Sequence, residues 1–113
     1  MSARILMTLA ALIAATPAFA QGGQHFQGAG QRTQLDCDGG TIHIEGASNI
    51  LTIDGACTAL TLEGASNEIR VNMAAGGRIT VTGASNVIIW TAPAGAKVSV
   101  RSTGAANRIA RGR

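Results

Sequence analysis

Apolar and polar residues alternate along most of the chain after residue 40. Pairs of apolar residues two positions apart come before and after a short Gly-containing segment, as with Ile42 and Ile44 before the first and Leu51 and Ile53 after it. A period of two is typical of a β-strand with one buried face. The pattern predicts an all-β protein with strands of about five residues.

The residues on the apolar phase of this pattern are predicted to face inward. They are Ile42, Ile44, Leu51, Ile53, Leu60, Leu62, Ile69, Val71, Ile79, Val81, Ile88, Trp90, Val98, Val100 and Ile109.

The segment between the apolar pairs is an internal repeat. Gly46-Ala47-Ser48-Asn49 recurs at residues 64–67 and 83–86, and a degenerate copy with Ala in place of Ser occupies residues 104–107. The copies begin 18, 19 and 21 residues apart. Each repeat is therefore expected to contain a strand, a corner, a second strand and a second corner.

Two architectures fit this repeat, a meander of hairpins and a parallel β-solenoid (β-helix). In a solenoid each corner lies directly on the previous one, about 4.8 Å away, so identical residues stack. In a meander, alternate turns are not neighbours, so nothing requires the same four residues at each of them. We predict a short parallel β-solenoid of about four two-strand coils, in which Asn49, Asn67, Asn86 and Asn107 form a structural ladder.

The two cysteines of the chain, Cys37 and Cys57, are separated by about one coil. Residues one coil apart are neighbours in a stack, and an oxidising compartment favours a bond between them. A disulfide is expected, with a contribution on the order of 3 kcal/mol from closing the loop.

The N-terminal third divides into two parts. Residues 1–20 resemble a signal peptide, with Arg4 before a short apolar core and small residues at the cut site, so cleavage after Ala20 is expected. An uncleaved N-terminal anchor is the alternative. Residues 21–34, rich in Gln and Gly, are predicted to be a linker or an N-terminal cap, with the linker preferred, and residues 35–113 the repeat domain.

The residues 35–109 resemble the bacterial domain of unknown function 3060 family. The resemblance rests on Cys37, Cys57 and the Gly-x-Ser-Asn copies at residues 46–49, 64–67 and 83–86. It implies an exported or envelope-associated module, and it assigns no catalytic residues. The last copy departs from the pattern at Ala106.

No arrangement of residues is typical of catalysis, a cofactor or a metal, so we predict a protein that is not an enzyme. Glu45 and Glu63 hold the same place in successive repeats and are expected to stack, which leaves a hydrolase with a carboxylate pair as the weakest alternative. His43 is expected to face outward, and His25 lies in the predicted linker.

The net charge of +3 is mild, and the chain has too few aromatic residues for base stacking, so no nucleic acid partner is expected. The preferred function is a periplasmic or secreted structural or interaction module of the cell envelope, without a transmembrane segment once the signal peptide is removed. Ile50, Val87 and Ile89 are predicted to form an outward apolar patch for an envelope partner or self-association. The main alternative is a polyanion or glycan binder that uses the basic C-terminal end, namely Arg101, Arg108, Arg111 and Arg113.

Overall fold

A computed structural model of the protein describes residues 23–112, and the prediction of an all-β parallel solenoid is confirmed. The expected signal peptide and its cleavage site after Ala20 lie outside the described residues. The strands are β1 (Gly23–Ala29), β2 (Arg32–Asp36), β3 (Thr41–Ala47), β4 (Ile50–Ala65), β5 (Glu68–Ala84), β6 (Val87–Thr91), β7 (Ser99–Ala105) and β8 (Arg108–Arg111).

All the strand pairs are parallel, and they form two stacks. One stack, which we call the first face, contains β1, β3, the second half of β4, the second half of β5, and β7. The second face contains β2, the first halves of β4 and β5, β6 and β8. The strands β4 and β5 are long because each continues through a corner from one face to the other.

The strands make five coils, one more than the sequence predicts. The additional coil begins with residues 23–34, so these residues are not the linker that we preferred. Gly28 and Ala29 pair with Gly46 and Ala47. The segment Gly28-Ala29-Gly30-Gln31 is therefore a first, degenerate copy of the corner.

The core lies between the two faces and follows the predicted alternation. Every predicted inward residue from Ile42 to Ile88 is buried, together with Cys37, Cys57 and Met73. Trp90, Val98 and Ile109 are partly buried against this core. Val100 is an exception with 44 % of its surface exposed, because no described coil stacks on this side of its own coil.

Some of the inward positions become polar in the first and last coils. Gln24 and Thr33 occupy the places of Ile42 and Leu51 in the first coil, and Ser102 takes the place of Val81 in the last. Apolar residues at these places would leave a wide apolar surface at each end of the stack. The polar residues fit the role of the capping repeats that solenoids need.

Arg111 closes the core at the last coil. It pairs in register with Trp90, and its guanidinium lies 5.1 Å from the ring centre of that residue. It also donates hydrogen bonds to the carbonyls of Ala92, Pro93 and Ala96. Arg111 therefore holds the loop between β6 and β7 over the partly buried indole.

The repeated corner, which we call the Asn corner, contains a continuous ladder of side-chain amides. Asn67 donates from its backbone N–H and from Nδ2 to Oδ1 of Asn86, at 3.0 and 3.1 Å. The same Nδ2 donates to the carbonyl of Gly46 at 3.0 Å. Asn49 and Asn86 make the equivalent bonds, and Asn107 ends the ladder with a bond to the carbonyl of Gly83. Since Asn49, Asn67 and Asn86 are fully buried, these bonds satisfy groups that would otherwise be costly to desolvate.

The opposite corner, which we call the variable corner, differs in sequence and length from coil to coil. It comprises residues 37–40, 54–58, 72–77 and 92–98. Cys37 and Cys57 lie here and form the expected disulfide, with Cα atoms 5.2 Å apart. Met73 follows Cys57 in register and is fully buried.

Candidate functional site

The outward side of the first face carries three rows of side chains that run across the coils. The middle row contains His25, His43, Thr61, Thr80 and Arg101, and one flanking row contains Gln27, Glu45, Glu63, Thr82 and Thr103. The other flanking row ends with Ala59, Arg78 and Ser99. Because every strand has the same register, residues that are far apart in sequence become close neighbours on a flat surface.

A groove lies toward the C-terminal end of the first face. It is lined by Arg78, Thr80, Ser99, Val100 and Arg101, and we call it the basic groove. Arg78 pairs with Ser99 and Thr80 with Arg101, so the two arginines are diagonal neighbours, with Cα atoms about 8 Å apart on this spacing. Two guanidinium groups and two hydroxyls therefore line one groove.

The guanidinium groups of this groove have no acidic partner within the described residues. The ion pairs found there join histidines to Glu45 and Glu63 and involve no arginine. An unpaired arginine keeps its full hydrogen-bonding fork available to a carboxylate, sulfate or phosphate. The groove is thus chemically suited to an anionic ligand with hydroxyl groups.

Charge is separated along the stack of coils. All six acidic residues of the chain lie between positions 36 and 68, whereas seven of its nine Lys and Arg residues follow Glu68. The fourth and fifth coils consequently carry only positive charges. The sequence shows this separation directly, but we predicted a basic end only from the last arginines and overlooked Arg78.

The four arginines of the predicted basic end do not lie together. Arg101 lines the basic groove on the first face, and Arg108 lies exposed on the second face in register with Val87. Arg111 is occupied by the indole and the carbonyls described above. Arg113 lies outside the described residues. The structure therefore brings together Arg78 and Arg101, a pair that sequence analysis did not propose.

The predicted stacking of Glu45 and Glu63 is present at the N-terminal end of the first face, where these two residues pair in register. Their side chains remain 36 % and 52 % exposed, and the basic groove is lined by other residues.

Two histidines join these carboxylates. Nε2 of His43 lies 3.1 Å from Oε2 of Glu45 and 3.8 Å from Oε1 of Glu63, and Nε2 of His25 lies 3.8 Å from Oε1 of Glu45. The two imidazole rings stack with their centres 5.1 Å apart and their planes 6° from parallel. We refer to these four residues as the His–Glu cluster. Sequence analysis missed it because His25 was assigned to a linker.

The environment of Glu45 favours its ionised form. The Gln27 side chain donates a hydrogen bond to its Oε1 at 2.7 Å, and the electrostatic attraction of His25 and His43 adds to this effect. These contacts outweigh partial desolvation and lower the pKa of Glu45 below its ordinary value.

The apolar patch that we predicted is interrupted. Ile50 is 38 % exposed, but Glu68 lies in register between it and Val87. Val87 and Ile89 are only half exposed, and the backbone of Gly112 lies against the side chain of Ile89. The three residues therefore do not form a continuous apolar surface.

No helix long and apolar enough to cross a membrane occurs in the described part of the chain.

The parallel coils, the Asn ladder and the polar outward rows define a short solenoid with a rigid, flat polar face. The chain belongs to the family described as protein of unknown function (DUF3060), whose model matches residues 44–106. No curated protein and no solved structure matches the chain. The matched range includes three of the Asn corners and Cys57, and it does not extend to the first coil.

Proposed function

We propose that the protein is an exported, non-catalytic module of the cell envelope that binds anionic glycan chains on the basic C-terminal half of its first face. The observation that carries this proposal is the basic groove, where Arg78 and Arg101 lie on adjacent strands without acidic partners. The disulfide fits an oxidising compartment outside the cytoplasm, whether periplasmic or extracellular.

A glycan suits this surface better than a lipid bilayer does. Thr80 and Ser99 supply hydroxyls for hydrogen bonds to the hydroxyl groups of a sugar. A membrane-binding surface would combine its positive charge with a cluster of inserted apolar side chains. The large hydrophobic residues exposed in the described chain, Ile50 and Val100, lie on different faces and form no such cluster.

The rigidity of the face also supports a binding role. Each outward side chain of the groove is carried by a strand whose register is fixed by the Asn corner at its end, through Gly83 and Gly104. A preformed surface reduces the conformational entropy lost when a ligand binds. Electrostatic attraction from the acid-free coils would speed the first encounter with a polyanion.

The test is a titration of the purified protein with polygalacturonate, a carboxylated polysaccharide, with neutral dextran for comparison. We expect saturable binding of polygalacturonate that weakens as salt screens the charges, and no binding of dextran. The double variant Arg78→Gln, Arg101→Gln should bind at least about tenfold more weakly, since each guanidinium loses its ionic contacts.

The matched control is Arg32→Gln with Arg70→Gln, which removes the same charge from the second face. The control should retain the wild-type affinity apart from a small loss from net charge. Equal losses in the two double variants would show a nonspecific charge effect and overturn the groove as the site. Binding to vesicles containing phosphatidylglycerol, in the absence of binding to polygalacturonate, would overturn the glycan assignment.

A further inference from the structure

A second site, chemically different from the basic groove, lies at the opposite end of the first face. We propose that the His–Glu cluster binds one divalent transition-metal ion, preferably Zn²⁺, through His43, Glu45 and Glu63, with His25 beside them as a further donor. This inference does not depend on the proposed glycan binding, because the two sites share no residue.

The donor atoms are spaced for a common ion. Zn²⁺ lies about 2.0–2.2 Å from imidazole nitrogen and carboxylate oxygen, so two ligands at a tetrahedral angle are about 3.3 Å apart. Nε2 of His43 lies 3.1 and 3.8 Å from the nearest oxygens of Glu45 and Glu63. One ligand atom from each of these residues lies within 4.8 Å of the other two. Small side-chain rotations would bring all three onto one ion.

The fold explains why these atoms converge. His43 and Glu45 are two residues apart on β3, so both point outward, and Glu63 pairs with Glu45 on the next coil. His25 lies below His43 on β1, and its Nε2 lies 3.8 Å from Oε1 of Glu45. Four donor residues on three adjacent coils therefore meet at one place on a rigid sheet. A backbone fixed in this way holds ligands better than a loop would.

The neighbouring side chains also suit metal binding. Gln27 donates to Oε1 of Glu45, which orients the carboxylate and leaves Oε2 directed at His43. Outer-shell hydrogen bonds of this kind orient metal ligands. The combination of imidazole and carboxylate favours Zn²⁺ over Ca²⁺ or Mg²⁺, which prefer all-oxygen sites.

The alternative is an ordinary surface ion pair between His43 and Glu45, which needs no metal and contributes little stability. The two interpretations differ in their use of Glu63 and His25. An ion pair is complete with one carboxylate, whereas a metal site needs a third ligand. The test must therefore measure metal binding directly and remove His43, Glu63 and His25 one at a time.

The experiment titrates the purified protein with ZnCl₂ at pH 7.5, using calorimetry together with NMR of the histidine side chains. The chain has only two histidines, and both lie in the cluster, so each ring signal reports on the site. We expect saturation at one Zn²⁺ per chain, with a shift of the His43 signals. His43→Gln and Glu63→Gln should each weaken binding by at least about tenfold, and His25→Gln should have a smaller effect.

The matched control is Glu68→Gln, which removes an exposed carboxylate from the second face and should leave the Zn²⁺ affinity unchanged. Absence of saturable binding, or an affinity insensitive to both His43→Gln and Glu63→Gln, would overturn the metal site. A loss with His43→Gln but not with Glu63→Gln would also overturn it, since the third ligand would be missing. The variant Arg78→Gln, Arg101→Gln should bind Zn²⁺ normally, which separates this result from the glycan proposal.

Discussion

The two corners of each coil solve the same geometric problem in different ways. The Asn corner has the same length in every coil and is held by hydrogen bonds that pass from one coil to the next. The variable corner changes in length and sequence, and it is held by the disulfide, by Met73 and by backbone hydrogen bonds that differ from coil to coil. Regular stacking therefore requires only one uniform corner, and the other is free to vary.

Individual glycines of the two corners differ in how closely a neighbouring backbone approaches them. At the Asn corner, a Cβ added to Gly64 would lie 1.8 Å from the carbonyl oxygen of Gly46, and the φ angle of Gly64 is +149°. At the variable corner, the space around Gly76 is open, although its φ angle is +76°. The first glycine is required by both space and conformation, and the second by conformation alone.

Substitution of Gly64 by Ala should therefore destabilise the protein much more than substitution of Gly76 by Ala. The backbone of an adjacent coil would have to move, and we expect a loss of more than about 4 kcal/mol in the free energy of unfolding. The comparison is Gly76→Ala, which adds only the cost of an unfavourable φ angle, about 1 kcal/mol. Urea unfolding monitored by circular dichroism measures both.

If the two alanine variants lose similar amounts of unfolding free energy, then the backbones at Gly64 and Gly46 do not approach each other as closely as described. If Gly64→Ala fails to fold at all, a Gly104→Ala variant gives the same information at the last coil. There the added Cβ would contact the backbone of Gly83 in the preceding coil. No described coil follows it, so the last coil could move away to relieve the contact.

The second prediction concerns the ladder itself. Asn67→Ala removes the amide that accepts from Asn49 and donates to Asn86 and Gly46, so several buried polar groups lose their partners. Each buried polar group left without a partner costs about 1–3 kcal/mol, and relaxation of the corner relieves part of this cost. We therefore expect the free energy of unfolding to fall by roughly 4 kcal/mol. Thermal and urea unfolding measure this loss.

The matched control for Asn67 is Asn72→Ala, at the start of the variable corner. Asn72 is exposed and makes one long hydrogen bond of 3.5 Å to Thr91. Its removal should change stability by less than about 0.5 kcal/mol. A small loss for Asn67→Ala would mean that water replaces the amide, and the ladder would then contribute little to stability.

The contrast between the corners also explains what could be predicted from the sequence. The identical residues at the Asn corner predict the stacking of the coils. The alternation of apolar and polar residues predicts which side chains are buried. The first coil was overlooked because Gly30 and Gln31 replace Ser and Asn. Their backbone still follows the pattern, since Gly30 has a φ angle of 65° against 59° for Ser48, and the N–H of Gln31 donates to Asn49.

The sites were harder to predict than the fold. Both depend on residues from different coils becoming neighbours on the first face, and a count of local motifs along the chain does not show such neighbours. Once the register is known, His25 falls below His43, and Arg78 falls diagonally beside Arg101. The histidine pair could not be predicted without the first coil, which contains His25. The arginine pair could not be predicted from the C-terminal arginines, because Arg78 lies in an earlier repeat.

The third prediction tests whether the two corners are independent, using the double variant Cys37→Ala, Cys57→Ala. Opening this cross-link should reduce the free energy of unfolding by about 3 kcal/mol, because the unfolded chain gains freedom. Hydrogen exchange should become faster around residues 37–40 and 54–58, where the bridge lies. The amides of Ser48, Ser66 and Ser85, which donate across the coils at the Asn corner, should change only through the global loss of stability. If these amides instead lose protection beyond that global change, the bridge supports both corners, and the ladder does not hold the stack by itself.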